Sequence, residues 1–242
     1  MKQLKGYALA AFALTIALFL APQPACAQAQ SSAQAAPAPH DFARWEKEIT
    51  AFEDSDKSNP PPKNGIVFTG SSTIRMWKTL GQDFPGQKTI NRGFGGSEIV
   101  DATHFADRII FPYQPKMVFL RAGGNDIHAG KTPAQILQDF QEFVAKVHQK
   151  LPTAQIIYIS ISPAPSRWPE TDKYREANRL IREAALSMPF VGYCETFDMV
   201  LGPDGIARHE LYINDMLHFN SEGYKLLAEH VRPFMPTPAP GR

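Results

Sequence analysis

The spacing of apolar positions changes period repeatedly along the chain, and the changes mark out its elements. Phe42, Trp45, Ile49 and Phe52 recur at helical spacing, which predicts a first helix over residues 41–53 with Asp41 as its N-cap. Short apolar runs at 65–69, 88–91, 116–121, 154–161 and 190–194 then predict five strands. Helical patterns over 99–111, 133–150 and 169–186 lie between strands, a further one over 221–234 closes the chain, and a short helix is expected to begin at Ser72. Strands that alternate with helices build a parallel sheet covered on both faces. Runs as apolar as Ile156-Ile157-Tyr158-Ile159 fit strands buried on both sides. The pattern therefore predicts a single α/β domain over residues 40–235, with the Pro-rich residues 236–242 as a frayed tail.

The N-terminus follows a different logic. Lys2 and Lys5 precede an apolar stretch from residue 7 to 21, and Ala25-Cys26-Ala27 supplies a small-residue cleavage site. This is the pattern of a secretory signal peptide over residues 1–27. Its apolar stretch falls short of the ~20 residues that span a bilayer. Residues 28–39 contain only Ala, Gln, Ser and Pro, a composition that forms a flexible linker rather than a core. The expected location is periplasmic or secreted, with no stable membrane insertion once the signal is cleaved.

Composition narrows the function classes. The whole chain carries a net charge of +1, and residues 1–27 hold two lysines and no acid, so residues 28–242 carry −1. Nothing in that balance points to nucleic acid or an anionic membrane. Residues 28–242 retain one cysteine, Cys194, which excludes an internal disulfide and reads as a buried thiol in an apolar run. Metal-ligand spacing is absent, as is the Gly-Lys-Ser/Thr of a phosphate-binding loop, so neither a metal nor a cofactor is expected.

Four short segments carry chemistry: Gly70-Ser71-Ser72-Thr73, Gly93-Phe94-Gly95-Gly96, Gly123-Gly124-Asn125-Asp126 and Asp215-Met216-Leu217-His218. Open α/β sheets bind ligands beyond the carboxyl ends of their strands, and the first three segments directly follow predicted strands. A serine there needs a base to take its proton, and His218 is the candidate, with Asp215 three residues earlier able to orient its ring. The other histidines compete less well: His104, His148 and His230 sit in polar helical patterns and read as solvated, while His128 borders the third segment. A helix start, a glycine N–H in residues 93–96 and the Asn125 amide are candidate donors to an oxyanion.

In these four blocks, in this order, the chain resembles the SGNH hydrolases, also called the GDSL esterase/lipase family. The resemblance implies a flavodoxin-like three-layer α/β/α sandwich on a five-stranded parallel sheet, and ester hydrolysis through an acyl-serine. By motif it implies Ser72 as nucleophile and backbone oxyanion donor, Gly96 as the second donor, Asn125 as the side-chain donor, Asp215 as the acid and His218 as the base. One position departs from the family pattern. Ser71 stands where the family has aspartate, which leaves Ser71 and Ser72 to be distinguished, with Ser72 keeping the nucleophile's place in the count from Gly70. Asp126 is a candidate to replace the missing carboxylate's support.

The connection Pro163-Ala164-Pro165-Ser166-Arg167-Trp168-Pro169 follows the fourth strand, and Arg167 and Trp168 are expected to contact substrate. The leading expectation is an exported esterase acting on small acyl esters, carbohydrate O-acetyl groups among them. A catalytically vestigial envelope glycan-binding module and an acyltransferase on the same fold are the alternatives. Acyl length, alcohol portion and oligomeric state are not written in these motifs.

Overall fold

The computed structural model describes residues 40–237. The signal-peptide and linker readings of residues 1–39 and most of the expected tail, residues 238–242, lie outside them. Pro236, at the start of that tail, accepts a hydrogen bond at its carbonyl from Gln87 Nε2 at 2.6 Å.

Five strands form the sheet: β1 (Ile66–Gly70), β2 (Thr89–Gly93), β3 (Met117–Arg121), β4 (Gln155–Ile159) and β5 (Val191–Cys194). All pairings are parallel, in the order β2-β1-β3-β4-β5. This is the flavodoxin-like order, with the reversal of winding falling between β1 and β3. The helices are α1 (Glu46–Ser58), α2 (Ser72–Arg75), α3 (Leu80–Asp83), α4 (Ile99–His104), α5 (Ala106–Ile109), α6 (Gly124–His128), α7 (Pro133–Lys150), α8 (Thr171–Ala185) and α9 (Ser221–Val231).

Alternation along the strands makes two cores. Val67, Val118, Leu120, Ile156 and Tyr158 pack on one face with Ile49 of α1, Ile99 of α4, Phe140 and Phe143 of α7 and Ile181 of α8. Ile66, Phe68, Phe119, Ile157 and Ile159 pack on the other with Ile74, Trp77, Leu227 and Val231. Phe68 and Phe119 are register partners on β1 and β3, and their rings stack at 4.3 Å. Each buried aromatic or branched side chain of this size contributes on the order of 1.5–3 kcal/mol. The result is the expected three-layer sandwich.

Several boundaries differ from the pattern-based expectation. The helix predicted over 99–111 is broken at Phe105 into α4 and α5. There Thr103 Oγ1 bonds back to the Ile99 carbonyl at 3.1 Å, and Lys146 Nζ takes the Thr103 carbonyl at 2.9 Å. Side-chain bonds of this kind draw carbonyls from the helix ladder and bend it. Strand β4 stops at Ile159 because Asn178 of α8 pairs with both peptide groups of Ile161, accepting at 2.9 Å and donating at 2.8 Å. Residues 165–170 form a 3-10 segment before α8 begins, since Arg167 leaves the helical region at φ −120°. Of the histidines read as solvated, His104 is exposed with its ring 3.9 Å from Phe42, whereas His148 is half-buried with its ring 3.7 Å from Phe190. Cys194 is buried, and that burial pushes its thiol up to about 12.

Candidate active site

Strand β1 ends in Gly70, whose φ of +120° favours glycine and whose missing side chain matters in a second way. A Cβ there would lie 2.1 Å from the Arg121 carbonyl oxygen on β3. The close approach lets Ser71 N donate to that carbonyl at 3.0 Å. Ser71 thereby becomes the N-cap of α2, and its own carbonyl accepts from Ile74 and Arg75. Ser72 is the first residue inside the helix. Its N–H has no carbonyl one turn earlier to bond, as at every helix start, and so points outward from the helix. Tyr224 of α9 fixes the same turn by donating to the Thr73 carbonyl at 2.9 Å.

The serine and the C-terminal block meet across the sheet edge. His218 Nε2 lies 2.8 Å from Ser72 Oγ, and His218 Nδ1 lies 2.6 Å from Asp215 Oδ2. Ser71 has no such contact, so the geometry separates the two serines. The turn that carries the acid and the imidazole is closed by an antiparallel bridge between Tyr212 and Phe219 and reversed by Met216 at φ +54°. Asp215 Oδ1 accepts from Leu217 N at 2.9 Å and His218 N at 3.0 Å, so one carboxylate organises both the turn and the ring. Burial works to raise the Asp215 carboxyl, but the bonds from His218 and from these two N–H groups outweigh it and hold it down at about 2. Asp215 is therefore an anion at and above the ordinary carboxylate range.

Asn125 opens toward the same place from α6. Its Nδ2 donates to the Ser97 carbonyl at 2.9 Å, which leaves one amide N–H free. Its Oδ1 accepts from Arg167 Nη1 at 3.0 Å, and the same nitrogen reaches the Gly124 carbonyl at 3.3 Å. Arg167 thus fixes which way the Asn125 amide faces. Gly96, at φ +76°, follows β2, the strand beside β1, and precedes the Ser97 peptide that Asn125 grips. A Cβ at Gly96 would press on the Trp45 ring at 3.2 Å.

Asp126 does not support residues 70–72. Its carboxylate is buried and accepts from Ile99 N at 3.0 Å and Gly123 N at 3.0 Å, with Lys131 Nζ at 3.4 Å. It ties together the loops after β2 and β3 instead. The support expected of it at Gly70-Ser71-Ser72 comes from the Arg121 carbonyl and Tyr224.

A cavity of about 60 Å³ opens at Ser72 and His218. Asn125, Arg121, Ser162 and Tyr212 also line it. Of the two residues expected to contact substrate, Arg167 lines the cavity, while Trp168 is half-buried against the core on the α9 side. Arg121 was not among the residues singled out from sequence, although a charge closing the apolar run Met-Val-Phe-Leu-Arg beside the Gly-Gly-Asn-Asp block was a visible signal. Among the described residues no cluster of His, Cys, Asp and Glu could hold a metal ion. Among them, too, no helix is long and apolar enough to cross a membrane.

This geometry agrees with the comparison to known proteins. A model of the GDSL-like Lipase/Acylhydrolase family matches residues 64–226. The chain belongs to that family. No curated protein matches this GDSL-like acylhydrolase. Among solved structures, a provisionally described acylhydrolase from Bacteroides fragilis shares 20% identity at a TM-score of 0.67, covering 81% of this chain and 97% of its own. A mutant form of an acetyl-xylooligosaccharide esterase from a Geobacillus species shares 12% at 0.58, covering 75% and 99%. A carbohydrate esterase family 3 protein from Talaromyces cellulolyticus shares 15% at 0.57, covering 70% and 94%. At these identities the likeness is one of fold.

Proposed function

We propose that this GDSL-like acylhydrolase is an exported serine esterase that hydrolyses small acyl esters, with carbohydrate O-acetyl groups as the favoured class. The observation that carries the reading is the unbroken chain from Ser72 Oγ through His218 to Asp215, at 2.8 Å and 2.6 Å. His218 Nε2 takes the Ser72 proton as Oγ attacks the ester carbonyl. The oxyanion is met by the N–H groups of Ser72 and Gly96 and by the free Asn125 amide N–H. His218 then gives its proton to the departing alkoxide, leaving an acyl-serine. A water attacks next, deprotonated by His218, and the acid leaves as Ser72 regains its proton. Asp215 stays ionised and holds the ring throughout.

Small acyl groups are favoured by size. A water needs roughly 10–15 Å³ of such space, so a cavity of about 60 Å³ holds a handful of heavy atoms. The carbohydrate preference draws on the two esterase neighbours of the same fold. Export rests on the N-terminal pattern of residues 1–27. The test is to offer the chain lacking residues 1–27 acetylated sugars alongside simple esters of graded acyl length. Acetate release from the sugars, absent in Ser72→Ala, supports the reading. Turnover confined to long acyl chains removes it.

A further inference from the structure

The cavity beside Ser72 contains a buried cation that no carboxylate pairs. Arg121 closes β3 and is 7% exposed, and its remaining exposure fits its place in the cavity lining. Its Nη1 donates to the Ser160 carbonyl and to Thr196 Oγ1 at 3.2 Å, and Nη2 donates to Ser162 Oγ at 3.2 Å. All three acceptors are neutral. A guanidinium has five N–H groups, so one on Nη2 and that on Nε find no acceptor among the described residues. The face of the Phe219 ring lies 5.7 Å away.

Two other cations drawn into the fold, Arg92 and Lys131, are treated differently. Arg92, the other buried arginine among the described residues, bonds the Asp56 carboxylate and the Tyr113 hydroxyl. Lys131 is ringed by Glu98, Asp126 and Asp139. Glu195, on the loop after β5, is exposed and makes no ion pair with Arg121; its Oε1 accepts from the Ser160 hydroxyl at 3.1 Å and Phe197 N at 2.6 Å. Burying an unpaired charge is costly, and bonds to neutral groups offset it less fully than a carboxylate partner would. Pinning the loops after β4 and β5 would need only neutral donors.

We propose that Arg121 is the receptor for a carboxylate on the substrate, placed a few atoms from the scissile ester carbonyl. The inference rests on the esterase reading of this site and narrows it to anionic esters. Two free N–H groups meet the two oxygens of a planar carboxylate, the pairing at which arginine excels. The cavity is small, so the carboxylate lies close to the ester. It belongs either to a dicarboxylic acyl group esterified at one end or to a hydroxy-acid alcohol such as an acetylated uronate.

The test measures binding to Ser72→Ala, which keeps the cavity and hydrolyses nothing. Calorimetry compares monomethyl succinate with methyl butyrate for the acyl source, and acetoxyacetate with propyl acetate for the alcohol source. The expected result is one anionic ester binding about tenfold or more tighter than its neutral counterpart, weakening with salt. The pair that shows it names the source. Adding Arg121→Gln should abolish the preference, and Arg121→Lys should keep part of it. If Arg121→Gln fails to fold, Arg121→Lys carries the variant arm, with a preference reduced but present. Equal binding within both pairs, or a preference that survives Arg121→Gln, overturns the inference. Hydrolysis of neutral esters by the unsubstituted chain, without anionic preference, would sink this inference alone. Anionic preference in binding, with no ester turned over, would sink the esterase reading alone.

Discussion

Arg167 Nη1 lies 3.0 Å from Asn125 Oδ1, so a cation on the loop after β4 sets the orientation of an amide on α6. Residues 42 positions apart are joined because both loops leave the carboxyl edge of the sheet. The bond is charge-assisted and aims the remaining Asn125 N–H. Arg167→Ala should therefore lower kcat by about tenfold or more, with KM little changed, since a charge-assisted bond contributes roughly 1.5–3 kcal/mol. Arg167→Lys should recover part of the loss. Asn125→Ala should lower kcat by about 10²–10³, and the double variant should be no worse than Asn125→Ala. Steady-state kinetics of the four proteins checks this, and additive losses would separate Arg167 from Asn125.

Ser71 and Ser72 should behave unlike one another. Ser71 caps α2 through its backbone, with no side-chain cap bond, whereas Ser72 Oγ meets His218. Ser71→Ala should retain activity within about tenfold, because the backbone cap survives. Ser72→Ala should lose several orders of magnitude. Matched losses in the two variants would contradict the assignment.

The pH dependence has a definite sign. Burial alone would raise the Asp215 carboxyl, and its bonds to His218 and Leu217 hold it at about 2 instead. Its contribution to stability is thus present above the ordinary carboxylate value and lost as pH falls through about 2. Asp215 therefore stays ionised, and keeps holding the His218 ring, at every pH above the ordinary carboxylate range. Asp215→Asn, followed by melting temperature against pH, should lose the acid destabilisation that falls below about pH 4. Identical melting profiles below about pH 4 in the two proteins would contradict the Asp215 assignment.

Asp126 titrates in the opposite sense. Burial pushes its carboxyl up to about 6, against the Lys131 ammonium and the Ile99 N–H. The folded chain then holds a proton that the unfolded chain releases between about 4 and 6. That contribution is full below the ordinary value and lost as pH rises through about 6. Asp126→Asn should erase this part of the pH dependence of the melting temperature. It should also cost about 1–3 kcal/mol, because an amide oxygen serves only one of the two N–H groups now bonded by the carboxylate. Unchanged melting from about pH 4 to 7 in both proteins would contradict the burial argument.

Much of this molecule was legible in the chain. The central strands β1, β3 and β4 stood out because a parallel strand buried on both faces is largely apolar, whereas the edge strands β2 and β5 are only part-buried. The blocks after β1, β2 and β3 were placed by the same logic, since strand ends deliver them to one edge. Asp215 and His218 were legible only as a spacing; their arrival at Ser72 depends on the Tyr212–Phe219 bridge and the Met216 reversal, which no local pattern encodes. The break at Phe105 escaped for a related reason: Lys146, 43 residues from Thr103, takes the carbonyl that the helix would have used. Arg121 escaped because a charge at a strand end is ordinary until its partners are known. Asp126 was misplaced because its carboxylate faces Ile99 and Gly123, a pairing set by tertiary contact.

The most direct measurement is intact-protein and peptide mass spectrometry after reaction with a fluorophosphonate, which couples only to a serine activated by its base. The account predicts stoichiometric labelling, with the adduct on Ser72, lost in Ser72→Ala and strongly slowed in His218→Ala and Asp215→Asn. An unlabelled chain, or an adduct carried by Ser71 or any other serine, would contradict it.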